Sequence, residues 1–308
     1  MSIQKDEVCI LIPTLNEAPT VGDLIWEFKT LGFNNILIVD GNSSDGTPDM
    51  ARSAGADVLL QTGKGKGNAI IEAFARIKEP YILMLDGDGT YSPEDAERML
   101  APLADGYDHV IGDRLITQNK PAFSRLNFYG NQILNKIFKL AHSRYLNDIL
   151  SGYRAFRRDA IAQMHLTESG FEIETEISVE AVRSRQQIAI IPISYVKRPG
   201  TVTKLNPFHD GFKITTTIYR LARMNNPMFY FGLIGVIMII GGLGIGIYVI
   251  LEWLRHIEHL PLTLLTVLLI VVGFEIFMFG VISDMLLAYH REMIQELQLL
   301  EERIRPKK

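Results

Sequence analysis

The chain of 308 residues has little cysteine and little tryptophan, with one and two of them. A single thiol excludes an internal disulfide and a cysteine-ligated zinc centre. Cys9 lies inside the apolar run Val8–Ile12 and reads as a small buried hydrophobe. An excess of basic residues is also missing. The 31 Lys and Arg are outnumbered by 35 Asp and Glu, and a net charge of −4 argues against a general nucleic-acid binder. The first residues, MSIQKDEV, are polar, and the apolar run after them is strand-sized and ends at Pro13. That is not a signal peptide, so residues 1–226 are expected to stay on the side of synthesis. No internal repeat or low-complexity segment is visible.

Long uncharged runs are present, and they are confined to the last third. Residues 229–253 carry no charge before Glu252, and residues 261–283 carry only Glu275. Each exceeds the roughly 20 residues that a helix needs to cross a hydrocarbon core. Between Lys197 and Arg223 there are six Lys or Arg against one Asp, and the tail carries Arg303, Arg305, Lys307 and Lys308. By the positive-inside rule both flanks are cytoplasmic and the short loop 254–260 faces outward. Gly242 and Gly246 would let the two spans pack closely and offer a route to a homo-oligomer. Glu275, near mid-membrane, needs a partner or a polar cavity. Residues 206–226 carry Phe208, Phe212, Ile218 and Ala222 at helical spacing with Lys213, Arg220 and Arg223 on another face, the pattern of an interfacial helix.

The first half alternates short apolar runs with helix-length segments. Val8–Ile12, Asn35–Val39, Asp57–Leu60, Tyr81–Leu85 and His109–Gly112 read as strands, and segments near 18–31, 46–54, 66–77 and 93–104 as helices. Strands this apolar imply a mainly parallel sheet covered on both faces. Ligands of such sheets bind beyond the carboxyl ends of the strands. Those ends read Pro13-Thr14-Leu15-Asn16-Glu17, then Val39-Asp40-Gly41-Asn42-Ser43-Ser44-Asp45-Gly46, then Asp86-Gly87-Asp88-Gly89-Thr90, then Gly112-Asp113-Arg114. Four neighbouring ends thus bring carboxylates, glycines and an arginine to one rim. Asp86 and Asp88, one residue apart, repel each other unless a hard divalent cation such as Mg²⁺ neutralises them and shares phosphate ligands. As a rival, Leu85–Thr90 also fits the first motif of haloacid-dehalogenase phosphatases, with Asp86 as nucleophile. Asp40 can accept from a base or ribose, or the Asn42–Gly46 loop can cap the next helix. Gly63-Lys64-Gly65-Lys66-Gly67-Asn68 is glycine-rich and basic but lacks P-loop spacing, so Lys66 is either a diphosphate contact or part of a helix entry. Glu172 and Glu176 share one face if this stretch is helical, where they orient basic residues near the acceptor, bind the sugar or face solvent.

Taken together, these motifs resemble family 2 glycosyltransferases of the GT-A fold. Asp148-Ile-Leu-Ser151-Gly152-Tyr153-Arg154-Ala-Phe156 and Arg198-Pro-Gly200-Thr-Val-Thr-Lys204-Leu205 are similar to the acceptor motif and closing loop of dolichyl-phosphate sugar synthases, nearest the archaeal N-glycosylation branch. The resemblance implies inversion at the anomeric centre, a Mg²⁺ or Mn²⁺ cofactor, and nucleotide binding through Pro13, Glu17, Asp40, Asp86 and Asp88. Mannose-transferring relatives carry Asp-Ala-Asp followed by Leu-Gln; Gly89-Thr90 here turns the expectation from GDP-mannose toward a UDP-sugar and puts Thr90 at the third ligand position.

The expectation is therefore an α/β GT-A domain at 1–205, an interfacial helix at 206–226, a transmembrane hairpin at 227–288 and a helical tail at 289–308. Its donor site draws on Pro13, Thr14, Asn16, Glu17, Val39, Asp40, Lys66, Asp86, Gly87, Asp88, Arg114 and Arg198. Asp86, Asp88 and Thr90 are the metal candidates. Asp88, Arg114, Arg198 and Lys204 would stabilise charge on the departing diphosphate. Arg125, Ser151, Arg154 and Lys204 would seat an acceptor phosphate. The reaction expected is transfer of one sugar, from UDP-GlcNAc or UDP-glucose, to dolichyl or polyprenyl monophosphate in the bilayer. A GDP-mannose enzyme and a transferase extending a lipid-linked oligosaccharide are the alternatives.

Overall fold

The computed structural model describes residues 3–116, 119, 122–197 and 207–304. The chain divides into two compact units, residues 1–218 and 219–308.

The first unit is built on a seven-stranded sheet. Its strands are β1 (Val8–Thr14), β2 (Ile36–Asp40), β3 (Asp57–Leu60), β4 (Tyr81–Met84), β5 (His109–Asp113), β6 (Arg154–Arg157) and β7 (Ile188–Pro192), in the order β3-β2-β1-β4-β6-β5-β7. β1 to β4 pair in parallel, as do β5 and β7, while β6 runs antiparallel between β4 and β5. All seven residues of β1 are buried, because helices cover both faces. The two-residue period of a strand sends Val8, Ile10 and Ile12 into one core and Cys9 and Leu11 into the other. The first core is closed by Val21, Leu24, Ile25 and Phe28 of α1 (Ala18–Thr30). The second is closed by Ala69, Ile70 and Ala73 of α3 (Lys66–Phe74) and by Ile173, Ile177 and Ala181 of α7 (Ile173–Arg183).

From β1 the chain steps outward to β2 and β3, then returns to place β4 on the other side of β1. The strand order reverses between β1 and β4, and a crevice opens there at the carboxyl ends. The remaining helices of this unit are α2 (Thr47–Ser53), α4 (Ala96–Ala104), α5 (Arg125–His142), the single turn α6 (Arg158–Ile161) and the first part of α8 (Pro207–Asn225). On α8 the inward row is Ile214, Thr217 and Ile218, whereas Phe212 is 75% exposed. Of the apolar positions read off the sequence, Ile218 and Ala222 are buried and Phe212 is exposed.

The second unit contains α9 (Pro227–Trp253) and α10 (Leu260–Ile304). Asn226 caps α9 by accepting from the Phe229 N–H at 3.0 Å, and Pro227 follows where its missing donor costs nothing. Pro227–Trp253 and Leu260–His290 each have a mean hydropathy of 2.6 and are long and apolar enough to cross a membrane. They pack on small residues: a methyl at Gly235 would lie 2.5 Å from Gly273 O, and one at Gly242 2.8 Å from Ile270. Glu275 is exposed on α10.

Candidate active site

A cleft of about 660 Å³ lies over the β1–β4 crevice. Pro13 and Thr14 from β1, Glu17, and the Asp86-Gly87-Asp88 turn after β4 line one side. Lys66 at the start of α3 and Glu174 of α7 line another, while Arg114, Thr90 and Tyr195 close a third.

Asp86 is held from both sides. Its Oδ1 meets Lys66 Nζ at 2.5 Å, and Lys66 is also ion-paired with Glu174. Burial works against the charge of Lys66, but the two carboxylates outweigh it and hold the ammonium pKa above its usual value. Beneath Asp86 lies Gly152, where an added methyl would come within 2.6 Å of Oδ2. Only glycine leaves room for the carboxylate there. Asp88 accepts from the Thr90 hydroxyl at 2.7 Å and from the Thr90 N–H at 3.2 Å. Thr90 lines the cleft, and its hydroxyl orients Asp88.

The Lys66 turn rests on the loop before α7. Gly67 N–H donates to Ser169 O at 2.9 Å, and a methyl on Gly67 would meet Glu168 O at 1.9 Å. Glu176 fixes that loop by accepting from the Thr167 and Glu168 N–H groups at 2.9 and 2.8 Å and from the Thr167 hydroxyl at 2.7 Å. Glu176 is 1% exposed, so it faces neither solvent nor a sugar. Glu172 lies 4.0 Å from Lys213.

Arg114 is the cleft's other anchored cation. Its Nε and Nη2 donate to Asp148 at 2.7 and 2.9 Å, and its guanidinium sits 5.8 and 5.3 Å from the ring centroids of Phe123 and Tyr195. Burial opposes the charge, yet Asp148 keeps the guanidinium pKa well above its usual value.

Five expected site residues do not line the cleft. Asp40 is fully buried, and its carboxylate accepts from Thr14 Oγ1 at 3.1 Å, Ser43 N–H at 2.7 Å and Ser43 Oγ at 2.6 Å. It shapes the Gly41–Gly46 loop instead of facing a ligand. Val39 is buried in the core. Asn16 accepts from the Ser44 N–H at 2.9 Å, tying the first loop to the second. Ser151 and Arg154 are both fully buried. Arg154 donates to Ile149 O at 2.7 Å, Ser151 O at 2.8 Å and Ser178 Oγ at 3.0 Å. Burial lowers its pKa to about 10, and it remains a cation in the protein floor, turned away from any acceptor. Arg198, Lys204 and the Arg125 side chain lie outside the described residues.

The comparisons agree with this geometry. The sequence model described as "Glycosyl transferase family 2" matches residues 9–164, which is half of the chain and contains both acidic turns. The chain belongs to glycosyl transferase family 2. It is 47% identical over 299 residues to "Glycosyltransferase AglJ" of Haloferax volcanii, covering 96% of this chain and 99% of that protein. It is 32% identical to a "Dolichyl-phosphate hexose transferase" of the same organism, covering 70% of this chain and 94% of the relative. Among solved structures, glucosyl-3-phosphoglycerate synthase from Mycobacterium tuberculosis with Mn²⁺ and UDP-glucose aligns with a TM-score of 0.57 at 18% identity. That alignment covers 70% of this chain and 78% of the other. The likeness shows the fold.

For this glycosyltransferase the phosphatase reading of Leu85–Thr90 falls away. Asp86 follows the fourth strand of a family 2 domain and is ion-paired with Lys66. Sequence reasoning missed Glu174, Asp148, Gly152 and Tyr195 as site-forming residues. Glu174 sits between Glu172 and Glu176, two residues from each and so on nearly the opposite side of the helix from the face they share. Asp148 opens a motif that was recognised, but nothing local ties it to Arg114, 34 residues earlier.

Among the described residues no group of three or more His, Cys, Asp or Glu is arranged to hold a metal. The donor set is Asp86 and Asp88, two hard carboxylates facing a cleft. That pair suits Mg²⁺ or Mn²⁺, which completes its shell with water and phosphate oxygens.

Proposed function

We propose that the chain transfers one sugar, with inversion, from a nucleotide-sugar to dolichyl or polyprenyl monophosphate. UDP-GlcNAc and UDP-glucose are the favoured donors, and the product would supply protein N-glycosylation. The observation that carries this reading is that one chain joins a glycosyltransferase cleft with an acidic pair to two helices of membrane-crossing length. The dolichyl-phosphate hexose transferase relative supports the acceptor, and the UDP-glucose complex in the same fold supports the donor.

Asp86 and Asp88 would hold a divalent ion, which when bound neutralises charge on the departing diphosphate. Arg114 adds a second positive charge facing the cleft, locked by Asp148 and two rings so that little reorganisation accompanies reaction. A phosphate monoester acceptor needs no general base, since its second pKa of about 6 leaves it largely dianionic at neutral pH. Arg125, Arg198 and Lys204 are the cations proposed to seat it. The first turn of α5 reaches the cleft through Leu126 and Asn127. The same helix exposes Leu126, Tyr129, Ile133 and Leu140 at helical spacing, a stripe suited to a lipid surface. In this reading the catalytic unit and both termini are cytoplasmic.

The test is a panel of labelled UDP- and GDP-sugars with dolichyl phosphate and the full-length protein. A lipid-linked sugar phosphate labile to mild acid is expected. Asp88→Ala should lower transfer by about a thousandfold while membrane insertion persists. Full activity in EDTA would remove the ion from the scheme. Transfer only to lipids already carrying sugar would replace the acceptor.

A further inference from the structure

Lys66 is shared between two acids that come from different parts of the fold. Its ammonium touches Asp86, on the turn after β4, and Glu174, in the first turn of α7. The Glu174 side chain is 4% exposed and is ion-paired with Lys66. Under the donor-site reading, Asp86 serves an incoming divalent ion. One carboxylate cannot give its full charge to a lysine and to a divalent ion at once. A buried lysine that lost Asp86 with nothing to replace it would be stranded at high cost.

The backbone decides which of the three groups move together. The α3 start is locked to the loop before α7 by the Gly67 N–H to Ser169 O bond, and Glu176 fixes that loop to α7. The elements that carry Lys66 and Glu174 are thus tied to each other by backbone bonds, whereas Asp86 stands on the turn after β4. We propose that Lys66 is the internal counter-ion of Asp86 in the nucleotide-free enzyme and is taken over by Glu174 when a divalent ion claims Asp86. Glu174 is a positioning residue: it acts on ion binding only through Lys66. The proposal rests on the donor-site reading above.

The test measures Mn²⁺ binding to the full-length protein without nucleotide, by the free-ion electron spin resonance signal, with thermal melting as a fold control. Lys66→Met removes the competitor and should tighten Mn²⁺ by about tenfold. Glu174→Gln leaves Lys66 on Asp86 alone and should weaken Mn²⁺ by about the same factor. In Lys66→Met/Glu174→Gln the glutamate effect should vanish, and affinity should match Lys66→Met. If Lys66→Met alone does not fold, the double variant, which loses one charge of each sign, must still bind tighter than wild type. A Glu174 effect that persists without Lys66, or a Lys66→Met variant that binds no tighter, overturns the hand-over. Asp88→Ala separates the two levels: Mn²⁺ affinity indifferent to it overturns the donor-site reading itself.

Discussion

The two halves of the sheet build their share of the cleft differently. In the β1–β4 half, polar loops bond to their neighbours at the same rim. Asp40 caps Ser43, Asn16 N–H donates to Ser43 Oγ at 2.7 Å, and Asp45 accepts from Ala18 N–H at 3.0 Å and from Thr47 Oγ1 at 2.5 Å. In the β5–β7 half, the groups are tied across long stretches of chain. Arg114 depends on Asp148, Gly152 N–H donates to Tyr91 OH at 2.9 Å, and Asn119 donates to Ile193 O at 2.8 Å. Along the first half the strand-end loops brace one another; in the second, tertiary pairing holds the groups that face the cleft.

The arginines at the two strand ends of that second half give the sharpest test. Arg114 faces the cleft and Arg154 does not, though both are buried cations. Arg114→Gln should cost about a hundredfold in kcat/KM and, by stranding buried Asp148, about 3–5 kcal/mol of stability. Adding Asp148→Asn should restore the melting temperature and leave the activity low. Arg154→Met should lower stability by about 3 kcal/mol or more, since three buried acceptors lose a donor. Activity per folded molecule should stay within about threefold of wild type, the ceiling set by an unchanged cleft. An Arg154 variant that folds normally but fails to transfer would return it to the acceptor site.

A smaller effect is expected where the two halves touch. Gly152→Ala pushes a methyl against Asp86, and kcat/KM should fall about tenfold with a modest drop in melting temperature. Unchanged kinetics would mean that Asp86 has another place to sit.

The pH-dependent part of the stability lies where α5 meets α8. His142 is buried, its Nε2–H donating to Ile218 O at 3.3 Å. Burial lowers its pKa to about 4, against a weaker upward pull from that bond. Buried His109, stacked on Phe156, is likewise lowered by burial and by Arg154. Each folded pKa lies below the unfolded one, so the unfolded chain binds more protons as the medium acidifies. The stability from the neutral His142 ring is complete above about pH 6.5 and drains as pH falls toward 4, by about 3 kcal/mol, and buried His109 acts in the same direction. Melting of wild type and His142→Gln between pH 7.5 and 4.5 checks this; the variant should show the shallower slope.

Much of this was legible in the chain before any coordinates. Apolar runs followed by glycine and carboxylate located β1, β2 and β4, because a buried parallel strand must be apolar and its ligand-facing residues must come just after it. The two spans were legible from length and hydropathy alone. Other features escaped because sequence gives proximity only along the chain. Asp40 and Asp86 both stand at or just beyond the carboxyl end of a parallel strand, yet one is sealed under Ser43 and the other faces the cleft. Three glutamates at alternate positions, 172, 174 and 176, take different partners at the start of α7, and only packing shows that the middle one meets Lys66.

The sequence by itself determined the family, the parallel sheet, the acidic turn at its rim and the two apolar helices. Each follows from local composition: strand hydrophobicity, turn chemistry, or the length of an uncharged run. The tertiary structure alone decided which charges face the cleft and which lie beneath it. Whether Arg114, Arg154, Asp40 or Glu174 meets a ligand depends on partners 3 to 108 residues away, and in a low-dielectric interior those partners decide where each charge can be tolerated.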